Sequence, residues 1–165
     1  MIPSKTKKKK LSSNMEDYLE TIYVLDQKRE TVRIKDISAL MDVKKSSVNN
    51  AINVLSEREL VRHEKYGYVV LTFEGRRLSK EIKKRHDLLV RFLGGILGVD
   101  EQTAVEDACR IEHVISPATN DRLRRFIEFV DTCSTGEKPE WLDSLVYYIE
   151  KGKRPKTCMT KIRKK

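Results

Sequence analysis

Apolar positions recur along the chain with the period of amphipathic helices, interrupted once by a stretch that alternates in twos. Met15, Tyr18, Leu19, Ile22 and Leu25 predict a first helix over roughly 14–28, opened by the capping box "SNME" in which Ser13 and Glu16 satisfy exposed amides. "RIKDISALMDV" predicts a short second helix with Ile34, Ile37, Leu40 and Met41 inward. A third, capped at Lys45 or Ser46, buries Val48, Ala51, Ile52 and Leu55. After Leu60 the period changes, and "VRHEKYGYVVLT" reads as two short strands about a turn at 65–67, with Gly67 at a positive-φ position. Thr72 then caps a long helix with Leu78, Ile82, Leu89, Leu93 and Ile96 on one stripe, His86 among them, ended by "GGILGVD". A helix from about Thr103 to Ile115 stops at Ser116-Pro117. An amphipathic helix over 118–132 turns Leu123, Phe126, Ile127 and Val130 inward, and a weaker last helix runs from Trp141 to Ile149.

Three helices followed by a two-stranded wing make a winged helix-turn-helix, with 44–57 as the reading helix. The fold class expected is mainly α with a small β-wing: a winged helix-turn-helix domain over 13–75, then a helical domain over 76–150. Residues 1–12 and 151–165 form basic tails expected to be disordered.

Charge sharpens this division. Of the formal net charge of +9 over 165 residues, five lysines lie in 5–10 and eight Lys/Arg in 151–165, with no acid in either stretch. Residues 31–85 carry 13 bases and 7 acids, whereas 86–150 carry 6 bases and 13 acids. A basic module therefore precedes an acidic one, which points to a polyanionic partner for the first alone. The exposed side of the reading helix carries Lys44, Lys45, Ser46, Ser47, Asn49, Asn50 and Asn53. Asparagine pairs bidentately with adenine in the major groove, while serine and lysine suit phosphates. Arg62, Lys65 and Tyr66 of the wing would meet the flanking backbone. The partner expected is double-stranded DNA.

The chain has no apolar run of membrane-spanning length and no secretory signal, and its three cysteines are widely spaced. These features suggest a reducing, cytoplasmic setting without membrane or disulfide framework. No Gly-rich phosphate loop or nucleophile–base pair supports catalysis, so neither an enzyme nor a small-molecule substrate is expected.

The second module holds its own candidate chemistry in "EDACRIEHVIS" (106–116). On a helix Cys109, Glu112 and His113 stand at i, i+3 and i+4 and point to one side. Each donor has a plain reading: a small buried cysteine, a core histidine at His86, solvated faces at Asp17 and Glu20. Together they would place several acids in one crevice, a conflict that a divalent cation removes. Mixed O, N and S donors suit Mn(II), Fe(II), Co(II), Ni(II) or Zn(II) over Ca(II) or Mg(II).

Between Met15 and Cys133 the chain resembles the diphtheria toxin repressor family of metal-dependent regulators, near its iron-dependent and manganese transport regulator branches. The resemblance is carried by "MEDYLETIYVL", "SSV", "GYVVLTFEGRRL", "KKRHDLLVRFL" and "ACRIEHVIS". It implies a metal-dependent repressor controlling metal homeostasis, whose second domain dimerises and whose dimer binds a palindromic operator. It also implies that Asp17 and Glu20 join His86, Cys109, Glu112 and His113 as metal ligands, linking the winged helix to the dimerisation domain. The manganese branch has glutamate where Cys109 stands, and the iron branch has methionine where Asp17 stands. The set is a hybrid, for which Fe(II) is the favoured metal and Mn(II) the next. Val90 and Val105 replace ligands of the iron branch's ancillary site, and the chain is too short for that branch's SH3-like domain. Val114, Leu123, Phe126 and Ile127 are candidate dimer contacts. The alternative is a winged-helix regulator answering an organic ligand or thiol oxidation. Cys133 and Cys158 are read as surface thiols.

Overall fold

The computed structural model describes residues 11–28, 31–64, 67–132 and 140–155. Most of both basic tails, Lys65 and Tyr66 of the wing, Cys133 and Cys158 lie outside these residues. The chain divides into two compact units, 1–83 and 84–165.

The first unit begins with α1 (Ser13–Lys28), followed by β1 (Val32–Arg33), α2 (Ile34–Met41), α3 (Lys45–Glu57), β2 (Val61–His63) and β3 (Tyr68–Leu71). Its core is built from the positions the periodicity singles out: Leu19, Ile22, Ile37, Val48, Ile52 and Leu55 are fully enclosed. Leu40 departs from the expectation and is 56% exposed. On so short a helix, Ile34, Ile37 and Met41 (i, i+3, i+7) already define the inward line, and Leu40 points about 100° away from its centre. The helix starts also shift by one residue. The Ser12 carbonyl, not Ser13, takes the amides of Met15 and Glu16, and Lys44, not Lys45 or Ser46, occupies the N-cap of α3.

The wing is larger than expected. Val32 and Arg33 add a third strand, giving the antiparallel order β1-β3-β2 with Val32 opposite Val69 and Arg33 opposite Tyr68. Two residues give too short a run to show an alternation, which is why the sequence pattern passes over β1. Gly67 takes φ 75°, as its place after the wing turn requires. Asp42 and Glu59, just past the ends of α2 and α3, also adopt left-handed geometry, at φ 52° and 61°.

Thr72 caps α4 (Phe73–Val90), its hydroxyl accepting the Gly75 amide at 3.0 Å. The first turns of α4 still belong to the first unit: Ile82 lies in its core, and the buried Ser79 hydroxyl donates to the Leu19 carbonyl at 3.2 Å. The division therefore falls at 83/84, inside α4, whereas the sequence-based boundary at 75/76 stands at the start of the same helix.

In the second unit α4 passes into a π-helical segment, Arg91–Ile96, before α5 (Glu101–Ile111), α6 (Pro117–Thr132) and α7 (Glu140–Lys151). Asp100 caps α5, accepting the Thr103 amide at 3.0 Å, which starts that helix two residues early and holds the Asp100 carboxyl below its usual range. A small core gathers Ile96, Ile127, Val130 and Leu142. Phe126 lies at its rim, edge-on to Phe92 (centroids 6.1 Å apart) and tilted against Trp141, and keeps 38% of its surface exposed instead of turning fully inward. Among the described residues no helix is long and apolar enough to cross a membrane.

Candidate metal centre and DNA-reading face

The reading helix presents the face expected of it. Lys44, Lys45, Ser46, Ser47, Asn49, Asn50 and Asn53 are all exposed, while Val48, Ala51, Ile52 and Leu55 on the opposite side lock α3 into the core. Arg62 is exposed on β2. This separation follows from sequence spacing alone, because one helix must bury an apolar stripe and leave the remainder to solvent.

Two expected outcomes separate reading from anchoring on this face. Asn50→Ala weakens discrimination between a selected duplex and a random one by about 1–3 kcal/mol, the value of a bidentate base contact. Lys45→Ala weakens both duplexes alike and flattens the salt dependence, as loss of a phosphate contact does. Competition titrations at several salt concentrations distinguish them; equal behaviour of the two variants would place base reading elsewhere.

In the second unit, α5 and the turn that follows it gather donors against α4. Glu112 is the C-cap of α5, its amide still bonded to the Ala108 carbonyl, and His113 follows in the turn that leads to Ser116. The helix therefore ends four residues short of the expected Ile115. Cys109, expected on the same side as these two, is exposed, so its reading as a small buried core residue is excluded. Glu112 is completely buried, and His113 nearly so. One Glu112 oxygen, Oε2, lies 3.0 Å from His86 Nδ1. The other, Oε1, is 3.5 Å from His113 Nε2 and has no hydrogen-bond partner among the described residues. The Cys109 thiol and a His113 ring nitrogen stand within 4.8 Å of each other.

This is a costly arrangement for a chain to keep on packing grounds. A buried carboxylate oxygen left without a donor costs about 1–3 kcal/mol or more. Two imidazoles, a carboxylate and a thiol, drawn from α4 and from the end of α5 with its following turn, fit a borderline divalent transition metal, which would supply the missing partner for Glu112. In the first unit, Asp17 and Glu20 stand half-buried one turn apart on α1, and Glu20 lies 3.8 Å from Lys83 Nζ.

Comparison with known proteins agrees with both halves of this reading. Residues 10–69 match the family model for the iron dependent repressor N-terminal DNA binding domain, and 72–140 match that for the iron dependent repressor metal binding and dimerisation domain. The HTH-type transcriptional regulator MntR of Bacillus pumilus is 36% identical over 72% of this chain and 81% of its own length. MntR of Bacillus subtilis is likewise 36% identical, over 72% and 82%. The chain belongs to the iron-dependent repressor family. It is accordingly a metal-dependent, DNA-binding transcriptional regulator, with a winged-helix domain followed by a helical metal-binding and dimerisation domain.

Solved structures are similar as well. The manganese regulator SloR superposes with a TM-score of 0.64 at 29% identity, covering 72% of this chain and 55% of that one. IdeR of T. acidophilum gives 0.63 at 27%, covering 84% and 62%. The chain thus spans between half and two thirds of the length of these two proteins. Within the family's dimerisation domain, Val114 is 78% exposed, but Ile127 is only 5% exposed and belongs to the unit's own core, so it is withdrawn as a candidate dimer contact.

Proposed function

We propose that this regulator holds divalent transition metal through His86, Cys109, Glu112 and His113 of the second unit together with Asp17 and Glu20 of the first. The buried Glu112 carboxylate, with one oxygen beside His86 and the other without a hydrogen-bond partner among the described residues, is the observation that carries the reading. The cation supplies positive charge against the facing carboxylates. Glu112 is held at the end of α5 by its amide bond to the Ala108 carbonyl, and the turn that carries His113 is closed by the Val114 and Ile115 amides on the Ile111 carbonyl. Asp17 and Glu20 lie on α1, which packs against α3, so a ligand set drawn from both units couples occupancy to presentation of the reading helix. In a homodimer this coupling sets two α3 helices for successive major grooves of a palindromic operator. Couplings of this kind are worth about 1–3 kcal/mol per effector.

Cys109 decides the metal. A thiolate is softer than a carboxylate and shifts preference from Mn(II) toward Fe(II), while Asp17 and Glu20 favour Mn(II); Fe(II) is the effector proposed, with Mn(II) next. The test is selection of duplexes from a random pool, anaerobically and at fixed salt, with each divalent metal and with chelator. Enrichment that survives chelation would overturn the metal reading in favour of an organic or redox signal. Cys109→Glu should lower the Mn(II) concentration for half-maximal duplex binding relative to that for Fe(II). An unchanged ratio would remove Cys109 from the coordination sphere.

A further inference from the structure

The wing carries a cation that the reading helix and wing tip do not account for. In the sheet, Val32, Val61, Val69 and Leu71 are buried, so their side chains line the inner face. Side chains alternate along a strand, and directly paired residues share a face. Arg33 is paired with Tyr68, and Arg62 with Val70. These four residues therefore share the outer face, with one arginine on each edge strand and Tyr68 and Val70 on the central strand between them.

Arg33 is not a loose surface arginine. Its Nη2 donates to the Tyr68 hydroxyl at 2.7 Å, and its guanidinium carbon stands 4.8 Å from the centre of the same ring. Its backbone is also fixed, the amide donating to Asp36 Oδ2 at 3.1 Å where α2 begins. One residue thus joins the first turn of α2, the edge of the sheet and the start of the strand that leaves the wing turn. A guanidinium has five N–H donors in a rigid fork, and this one remains exposed with its orientation already set. Its ordering cost is met within the protein, which favours binding of a phosphate.

We propose that Arg33, oriented by Tyr68, is a DNA-backbone clamp, forming with Arg62 a two-arginine phosphate-binding face on the outside of the wing sheet. Tyr68 is the positioning residue. The inference rests on the family's DNA binding and adds a contact to it.

The test uses the full chain with Fe(II) under anaerobic conditions and two 30-base-pair duplexes, one selected and one random. Arg33→Gln keeps a side-chain donor for Tyr68 but removes the charge. It should weaken both duplexes several-fold and reduce the slope of log affinity against log salt by about 0.9, the value of one phosphate contact. Tyr68→Phe, which keeps the ring and loses the hydroxyl, should weaken binding in the presence of Arg33 and have no further effect in the Arg33→Gln background. A purely structural role would instead move the thermal midpoint and leave the salt slope unchanged. An unchanged slope in Arg33→Gln, or equal losses from Tyr68→Phe in both backgrounds, overturns the clamp. Failure of the wild-type chain to bind either duplex would overturn the DNA reading itself.

Discussion

Glu112→Gln should abolish the metal response of DNA binding while leaving the apo protein folded and no less stable. The substitution conserves shape, so the pocket beside His86 stays filled. It replaces a buried carboxylate, which needs a cation, with a neutral amide, which does not. The wild-type chain should gain about 5–150-fold in duplex affinity on adding Fe(II) anaerobically, the range of a 1–3 kcal/mol coupling. The variant should gain almost nothing. In the absence of metal its thermal midpoint should equal or exceed that of the wild type, because an oxygen with no hydrogen-bond partner among the described residues no longer has to be buried as part of a charge. His113→Ala should lose the response as well, but at a cost in apo stability, since it leaves a cavity. Paired duplex titrations and thermal melts distinguish the variants. A wild-type-like response in Glu112→Gln would exclude Glu112 as a ligand.

Gly75→Ala should destabilise the winged-helix unit by about 3 kcal/mol, near the upper end of ordinary overpacking penalties. A Cβ on Gly75 would stand 1.8 Å from the Leu60 carbonyl oxygen and 2.8 Å from its carbon. Neither atom can rotate away, because that oxygen already accepts the Thr72 amide at 3.0 Å and its hydroxyl at 3.1 Å. The gain in helix propensity from glycine to alanine, about 1 kcal/mol, is too small to compensate. For a unit of this size the midpoint should fall by at least 10 °C. A melt showing an unchanged or raised midpoint would mean that α4 can shift off the wing without loss.

What could be read in the sequence depended on how many residues spoke for each element. α1, α3 and α4 bury long stripes, and their positions follow from spacing; so do the polar face of α3 and the left-handed Gly67. β1 has two residues and no pattern of its own; it forms only because Val32 completes the core beside Val69. Leu40 and Phe126 show the opposite limit. Periodicity gives direction to within a quarter turn, and that margin separates a core position from a rim. The donors Cys109, Glu112 and His113 were legible as a cluster because all three lie within five residues. Their unequal burial was not, since α5 ends at Ile111 and the donors continue into a turn. Arg33 escaped for a different reason: its partner Tyr68 is 35 residues away, and only the sheet register brings them together.

The left-handed residues that close α2 and α3 are an aspartate and a glutamate, where glycine would sit without strain. A left-handed L-residue costs roughly 1–2 kcal/mol, somewhat less for aspartate, whose short side chain tolerates the geometry. The two joints of the helix-turn-helix unit therefore hold a latent allowance for change. Asp42→Gly and Glu59→Gly lie outside the reading face, and each would offset part of the loss caused by a poorly packed substitution in α3. A lineage, or a laboratory selection, seeking a new operator could pass through variants that would otherwise unfold.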